Sequence, residues 1–305
     1  MEAFIQNESD QLKSVLVGIA DSFGGTPVLA DAYDPKSKEH ILAGTFPLEQ
    51  DLKLEIEGFV KVLEKYNVKV YRPSLINNCN QIFTRDISFV IDDTLVVSNM
   101  ISNRKDEQDA ITYLIELFDK DKVIHMPKGA RAEGGDVMIW NDHVFIGYEM
   151  EPDFSDYKTS RTNEAGVAFI KEHFPNKNVV AFELRKSDTN AKENALHLDC
   201  CFQPVGKNKA VLHKNGFKNE KDYNFLIEFF GADNCLNIDE IEMYNMGSNF
   251  FSISQNVVVS ERRLKRVNDQ LRSWGLQVEE IKYSEVAKME GLLRCSTMPI
   301  HRKND

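Results

Sequence analysis

The chain has 305 residues, 42% hydrophobic and 28% charged, with a formal net charge of −11. That is ample material for a large core, and the acidic balance argues against nucleic acid and anionic membranes while attracting cations. The opening MEAFIQNESD lacks the apolar run of a signal peptide, no stretch reaches the ~18 apolar residues of a membrane span, and five cysteines without a CxxC pair point to a reducing cytoplasm.

The first strand signal is KSVLVGI at Lys13. DSFGGTP (Asp21–Pro27) follows it and reads as a surface turn or as a lid over a pocket, with Phe23, Gly24 and Gly25 as the moving part, since loops that shut out water favour small residues. A helix is predicted over Leu48–Tyr66 and a strand at VKVYR from Val68. TRDISFVIDDTLVVSN (Thr84–Asn99) holds two β-rich runs around Asp92-Asp93, a hairpin signal. Ala110, Ile111, Leu114, Ile115 and Phe118 share a face and predict a helix over Lys105–Phe118, followed by a strand at Lys122–Met126. The order then repeats. GGDVMIW and HVFIGYE flank Asn141-Asp142, a helix is expected near Thr162–Phe174, and NVVAFEL is a strand from Asn178. LHLDCCFQPV and AVLHK flank the turn GKNK, with a helix at Glu220–Phe230 and the strand CLNI at Cys235. Cys200 and Cys201 fall on the first of these strands, one facing in and one out, as packing. SNFFSI and VVVSE flank Ser254–Asn256, with a helix near Arg263–Trp274 and the strand QVEEI from Gln277. The final LLRCSTM is the strand missing from the first unit.

Hairpin–helix–strand units thus recur about every 50 to 65 residues, the mark of an array or a ring. An array needs distinct capping units, whereas here the first and last segments complete one unit. The expected fold class is therefore α/β, a five-bladed α/β propeller of pseudo-symmetric ββαβ units, with hairpins inward and helices outward; an ordinary open α/β sheet is the alternative. No linker rich in Pro, Gly or Ser separates the units, so residues 1–305 are expected to form a single domain.

Each unit carries polar residues just before its first hairpin strand: Arg85-Asp86, Glu133-Gly134-Gly135-Asp136, His197-Leu198-Asp199, Gly247-Ser248-Asn249 and Arg294-Cys295. In a ring these positions converge near the axis, gathering a thiol, an imidazole and several carboxylates. A thiolate attacks, and a histidine can protonate a leaving group and then activate water. Crowded carboxylates call for a cationic ligand, and a flat guanidinium fork fits them. Taken singly, each residue has a plainer reading: Cys295 as buried filler, His197 as a structural histidine, Arg85-Asp86 as a surface pair, Gly134-Gly135 as a turn.

Together, FTRD (Phe83–Asp86), EGGD (Glu133–Asp136), HLD (His197–Asp199) and RCSTMPIHR (Arg294–Arg302) resemble, in order and spacing, the guanidino-group-modifying (pentein) enzymes. These are arginine deiminases, dimethylarginine dimethylaminohydrolases and amidinotransferases. The resemblance covers most of the chain and implies the same five-bladed fold. It implies that Cys295 attacks the guanidinium carbon to give a covalent thiouronium, that His197 is the acid and base, and that Glu133 holds His197. It further implies that Asp86 and Asp199 grip the guanidinium nitrogens, that Asn249 lines the pocket beside Asp136, and that one of Arg85, Arg131 and Arg294 meets a substrate carboxylate. No metal and no organic cofactor is implied. The partner is a small arginine-like guanidine, and a homodimer is left open. The context of Glu133 favours a hydrolase, RTNEAG (Arg161–Gly166) leans to an amidinotransferase, and the hydrolase is preferred. A non-catalytic arginine- or partner-binding propeller is the third reading.

Overall fold

Fifteen strands pair into five three-stranded sheets among the described residues, 1–150 and 158–303, of the computed structural model. β1 (Gln11–Val17) lies parallel to β2 (Lys69–Tyr71), with α1 (Pro35–Leu42) and α2 (Glu49–Lys65) between them in the chain. β3 (Ser88–Ile91) and β4 (Thr94–Val97) form an antiparallel hairpin, and β5 (Val123–His125), after α3 (Thr112–Ile115), runs parallel to β4. The same order gives β6 (Val137–Trp140), β7 (His143–Tyr148), α4 (Glu164–His173) and β8 (Asn178–Glu183). Next come β9 (Phe202–Val205), β10 (Lys209–Leu212), α5 (Glu220–Phe230) and β11 (Cys235–Asn237). After α6 (Glu240–Tyr244) follow β12 (Phe251–Ser254), β13 (Val257–Glu261), α7 (Lys265–Ser273) and β14 (Gln277–Ile281). β15 (Thr297–Lys303) then pairs antiparallel with β1, so the last strand completes the first sheet.

Burial grades across each sheet. β3, β6, β9 and β12 are buried along their whole length, as strands covered on both faces must be. The third strands β2, β5, β8, β11 and β14 are half-exposed. The hairpins turn at Asp92 (φ 49°), Asn141 (φ 59°) and Gly206 (φ 62°), residue types that tolerate the left-handed region. On α2, Leu52, Ile56, Phe59 and Leu63 fall at helical spacing and are buried; the Phe59 ring meets Phe251 and Tyr283 edge-on, with centroids 5.8 Å away. Each such side chain contributes about 1.5–3 kcal/mol by burial. No described helix is long and apolar enough to cross a membrane.

Three sequence expectations need correction. The helix predicted over Lys105–Phe118 is mostly a 3-10 segment, Ser102–Ile111, with only α3 beyond it. A 3-10 turn eclipses residues i and i+3, and here that stacks the buried pair Arg104 and Glu107. The predicted strand LLRCSTM is a turn as far as Ser296, and β15 begins at Thr297. The Ser296 and Thr297 hydroxyls donate to the Leu292 and Leu293 carbonyls, satisfying groups that a strand would pair with a neighbour. Cys200 and Cys201 do not lie on a strand: Leu198–Cys200 is a 3-10 turn capped by Cys201, and both sulfurs are buried.

Candidate active site

A tight turn precedes the first strand of every sheet, and hydrogen bonds join these turns in a closed circuit. The Gly135 N–H donates to Asp86 Oδ1 (3.2 Å), and the Leu198 N–H to Asp136 Oδ1 (2.9 Å). The Ser248 hydroxyl donates to the Asp199 carbonyl (2.8 Å). The Arg294 N–H donates to the Asn249 carbonyl (3.2 Å), and the Arg85 N–H to the Cys295 carbonyl (3.1 Å), which returns to the first turn. Glycine is required in the second turn: a Cβ on Gly134 would stand 2.1 Å from the Arg85 carbonyl oxygen, and one on Gly135 2.7 Å from the His197 ring. The five expected motifs are therefore brought together.

Asn249 holds Cys295 from two sides. Its Oδ1 accepts the Cys295 N–H (3.1 Å) and its Nδ2 donates to Cys295 Sγ (3.2 Å). Asp199 Oδ2 lies 3.6 Å from the same sulfur. Burial, then Asp199 and Asp86, push the Cys295 thiol well above its ordinary value, against a smaller pull from Leu292 and Asn249. The carboxylate beside the sulfur favours the neutral thiol.

His197 Nε2 is 2.9 Å from Glu133 Oε2, and its Nδ1 is 3.8 Å from Asp86 Oδ1. Burial pulls the imidazole down, but Asp86, Asp136 and Glu133 outweigh it, so His197 titrates above its usual value, which favours the protonated ring. Glu133 is also pushed up by burial, and Arg161, His197 and Arg104 reverse this and hold it ionised. Its other oxygen, Oε1, is buried without a hydrogen-bond partner among the described residues. Asp86, Glu133 and His197 place ligand-type atoms within 4.8 Å of one another, a spacing that could hold a metal ion. Arginine cations already balance the two carboxylates.

Those cations were not anticipated from the sequence. Arg104 donates to Asp86 Oδ2 (2.7 Å), chelates Glu107 (2.8 and 2.7 Å) and lies 3.6 Å from Glu133. Arg161 donates to Glu133 Oε2 (3.2 Å) and packs over the Tyr33 ring at 5.4 Å. Arg104 sits in a charged run that reads as a solvated helix start, and only its spacing to Glu107 hints otherwise.

The other expected residues divide by role. Arg85 donates to the Arg294 carbonyl (3.3 Å) and the Thr297 hydroxyl (3.3 Å), while Arg294 binds Glu8, Asp199 and backbone carbonyls. Both are buried and committed to protein groups rather than turned toward a substrate carboxylate. Arg131 is half-buried, and its backbone is clamped by Asn163. Asp136 braces the His197-Leu198 turn from behind. Phe23, Gly24 and Gly25 line a cavity of about 200 Å³ together with Tyr33, Asp34 and Phe83, so the glycine-rich loop stands next to the FTRD motif.

A profile for "N,N dimethylarginine dimethylhydrolase, eukaryotic" matches residues 48–302. An uncharacterized protein, YkgA, of Bacillus subtilis (strain 168) is 27% identical over 245 residues, covering 80% of this chain and 78% of YkgA. An arginine deiminase of Oenococcus oeni is 26% identical over 294 residues, covering 82% of this chain and 67% of the deiminase. Among solved structures, the amidinotransferase SxtG of Microseira wollei superimposes with a TM-score of 0.76 at 16% identity, covering 99% and 98% of the two chains. The N-terminal domain of ArgZ, a cyanobacterial arginine dihydrolase, gives 0.77 at 16% identity, covering 96% and 98%. At that identity the structural likeness speaks for a shared fold.

Proposed function

Because the chain belongs to the eukaryotic N,N dimethylarginine dimethylhydrolase family, we propose that it hydrolyses a guanidinium C–N bond of arginine or an arginine derivative through a covalent Cys295 adduct. One observation carries this reading most directly. Asp86 and Glu133 already hold guanidinium groups, those of Arg104 and Arg161, beside His197. Carboxylates arranged to take planar, forked cations are what such a substrate needs. The unpartnered Glu133 Oε1 adds an acceptor for a further substrate N–H.

The steps follow from the titration states. A substrate guanidinium bound against Asp86, Asp199 and Glu133 lowers the Cys295 thiol, whose proton leaves for solvent. The thiolate forms a bond to the guanidinium carbon. His197 gives its proton to the departing nitrogen, the C–N bond breaks, and ammonia or a methylated amine leaves a Cys295 thiouronium. Neutral His197 then takes a proton from water while the hydroxide adds to the same carbon. The hydroxyl proton leaves for solvent as the C–S bond breaks, releasing a urea and the thiolate. Asn249, bonded to both ends of Cys295, aims the sulfur throughout.

The circuit of turns and the zipping of β15 onto β1 support reading the five sheets as blades of one closed α/β propeller, residues 1–305 forming a single catalytic domain. The position of Phe23, Gly24 and Gly25 beside Phe83 supports their role as a lid.

Turnover of arginine, methylarginines and agmatine, each with and without an amine acceptor, tests the reading. Release of ammonia or a methylated amine with a urea product, and no need for acceptor, is the expected result. Release of the amine product only when an acceptor is present would make the enzyme an amidinotransferase instead.

A further inference from the structure

Three buried arginines surround Glu8, and their partners differ in a telling way. Arg302 donates to two backbone carbonyls, of Asp10 (2.6 Å) and Ser252 (2.7 Å), and serves packing. Arg85 likewise donates to a backbone carbonyl and a hydroxyl. Arg294, next in sequence to Cys295, instead bridges two carboxylates. On one side its Nη2 and Nε reach Glu8 Oε1 (3.1 Å) and Oε2 (3.4 Å). On the other its Nη1 reaches Asp199 Oδ2 (2.9 Å), the oxygen 3.6 Å from the Cys295 sulfur. The guanidinium also donates to the carbonyls of Gly134, Gly135 and Val137, so one side chain fixes the Glu133 loop, Asp199 and the nucleophile's own turn.

We propose that Glu8 is a positioning residue for the reaction, holding one edge of Arg294 so that the other edge is fixed on Asp199 beside the Cys295 sulfur. This rests on the reading of Cys295 as nucleophile and Asp199 as a guanidinium-binding carboxylate. Glu8 lies in the segment before β1, outside the 48–302 match, and has no counterpart in the motifs. Its carboxylate neutralises Arg294, so Asp199 keeps enough negative charge to hold a cationic substrate. Without it, a full positive charge presses on Asp199, competing with the substrate. Burial raises the Glu8 carboxyl, but Arg294, Arg85 and Arg302 outweigh it and keep Glu8 ionised. The charged and titratable groups facing Cys295 include Asp199, Asp86, Cys200 and Tyr283; those facing Glu8 are the three arginines.

The test compares wild type with Glu8→Gln and Glu8→Asp, following alkylation of Cys295 by uncharged iodoacetamide across pH, read by mass spectrometry of its peptide. In Glu8→Gln the profile should move to lower pH, because Arg294, no longer neutralised by Glu8, offsets more of the Asp199 charge beside the thiol. The guanidinium-ion concentration giving half of its effect on that rate should rise about tenfold, the lower end of what loss of an outer partner costs a site. Glu8→Asp, which keeps the charge at shorter reach, should fall between. A folded Glu8→Gln protein with either readout unchanged overturns the proposal. If Glu8→Gln does not fold, Glu8→Asp decides: displaced values support the proposal, and wild-type values make Glu8 a brace of the fold and overturn it. Neither readout needs turnover, so a failed activity assay would sink the hydrolase reading while leaving this test intact.

Discussion

Ion pairs lie at two depths in this protein and obey different physics. At the periphery, Arg272 pairs with Glu280, Lys214 with Glu220 and Arg266 with Glu242, all with at least one largely solvated partner. Water screens such contacts, and holding two long side chains together costs entropy that offsets the attraction. Around the strand-initial turns, Arg104 sits on Asp86 and Glu107, Arg161 and His197 on Glu133, and Arg294 on Glu8 and Asp199, almost wholly out of solvent. Apolar side chains of equal volume would hold a fold at least as well as buried charges do. The charge concentrated at the turns is thus poorly explained by stability alone, which accords with the proposed role in chemistry, while the peripheral charge is of the ordinary solvated kind.

The sharpest way to break that division is Cys295→Ser. Turnover should fall by about four orders of magnitude or more, since the covalent route is lost, while the melting temperature stays near wild type; an active, folded serine variant removes the mechanism. His197→Ala should cost about 10²–10⁴-fold in kcat, the usual worth of a general acid–base, and a rapid-quench search for accumulated adduct tells which half-reaction suffers. Arg104→Ala leaves Asp86, Glu107 and Glu133 short of a cation and should destabilise by about 3 kcal/mol. Added guanidinium ion should restore part of that melting temperature, and a variant as stable as wild type would erase the contrast in depth.

Titration gives a finer probe. His197 has a raised value in the folded protein, above its ordinary 6.5. Its stabilisation is therefore complete below about pH 6.5 and is lost as pH rises through the raised folded value. The melting-temperature gap between wild type and His197→Gln should be widest at low pH and narrow on the alkaline side, where activity should also decline as the leaving group loses its acid. At the periphery, Arg272→Ala should change neither melting temperature nor turnover measurably.

Much of this was legible in the sequence because it depends on local rules. Asp92 and Asn141 mark hairpins because their short polar side chains tolerate the left-handed region, and the helix expected near Glu220–Phe230 is α5. Cys295, His197, Glu133, Asp86 and Asp199 could be grouped because each repeats at the same point of its unit. What escaped was set by partners distant in the chain. Arg104 and Glu8 lie in polar stretches that read as surface, and only the turn circuit brings Asp86 and Arg294 to meet them. The strand forecast for LLRCSTM failed because the Ser296 and Thr297 hydroxyls turn back on the backbone just before them.

The pairing of β15 with β1 has a consequence for biosynthesis. A ribosome delivers the other fourteen strands first, so four sheets can assemble while the opening one waits with an unmatched edge. Cys295 lies two residues ahead of β15, in the turn that leads into this pairing. Completion of the first sheet and placement of the Cys295 turn are thus coupled, and a chain interrupted before residue 295 would lack both β15 and the proposed nucleophile.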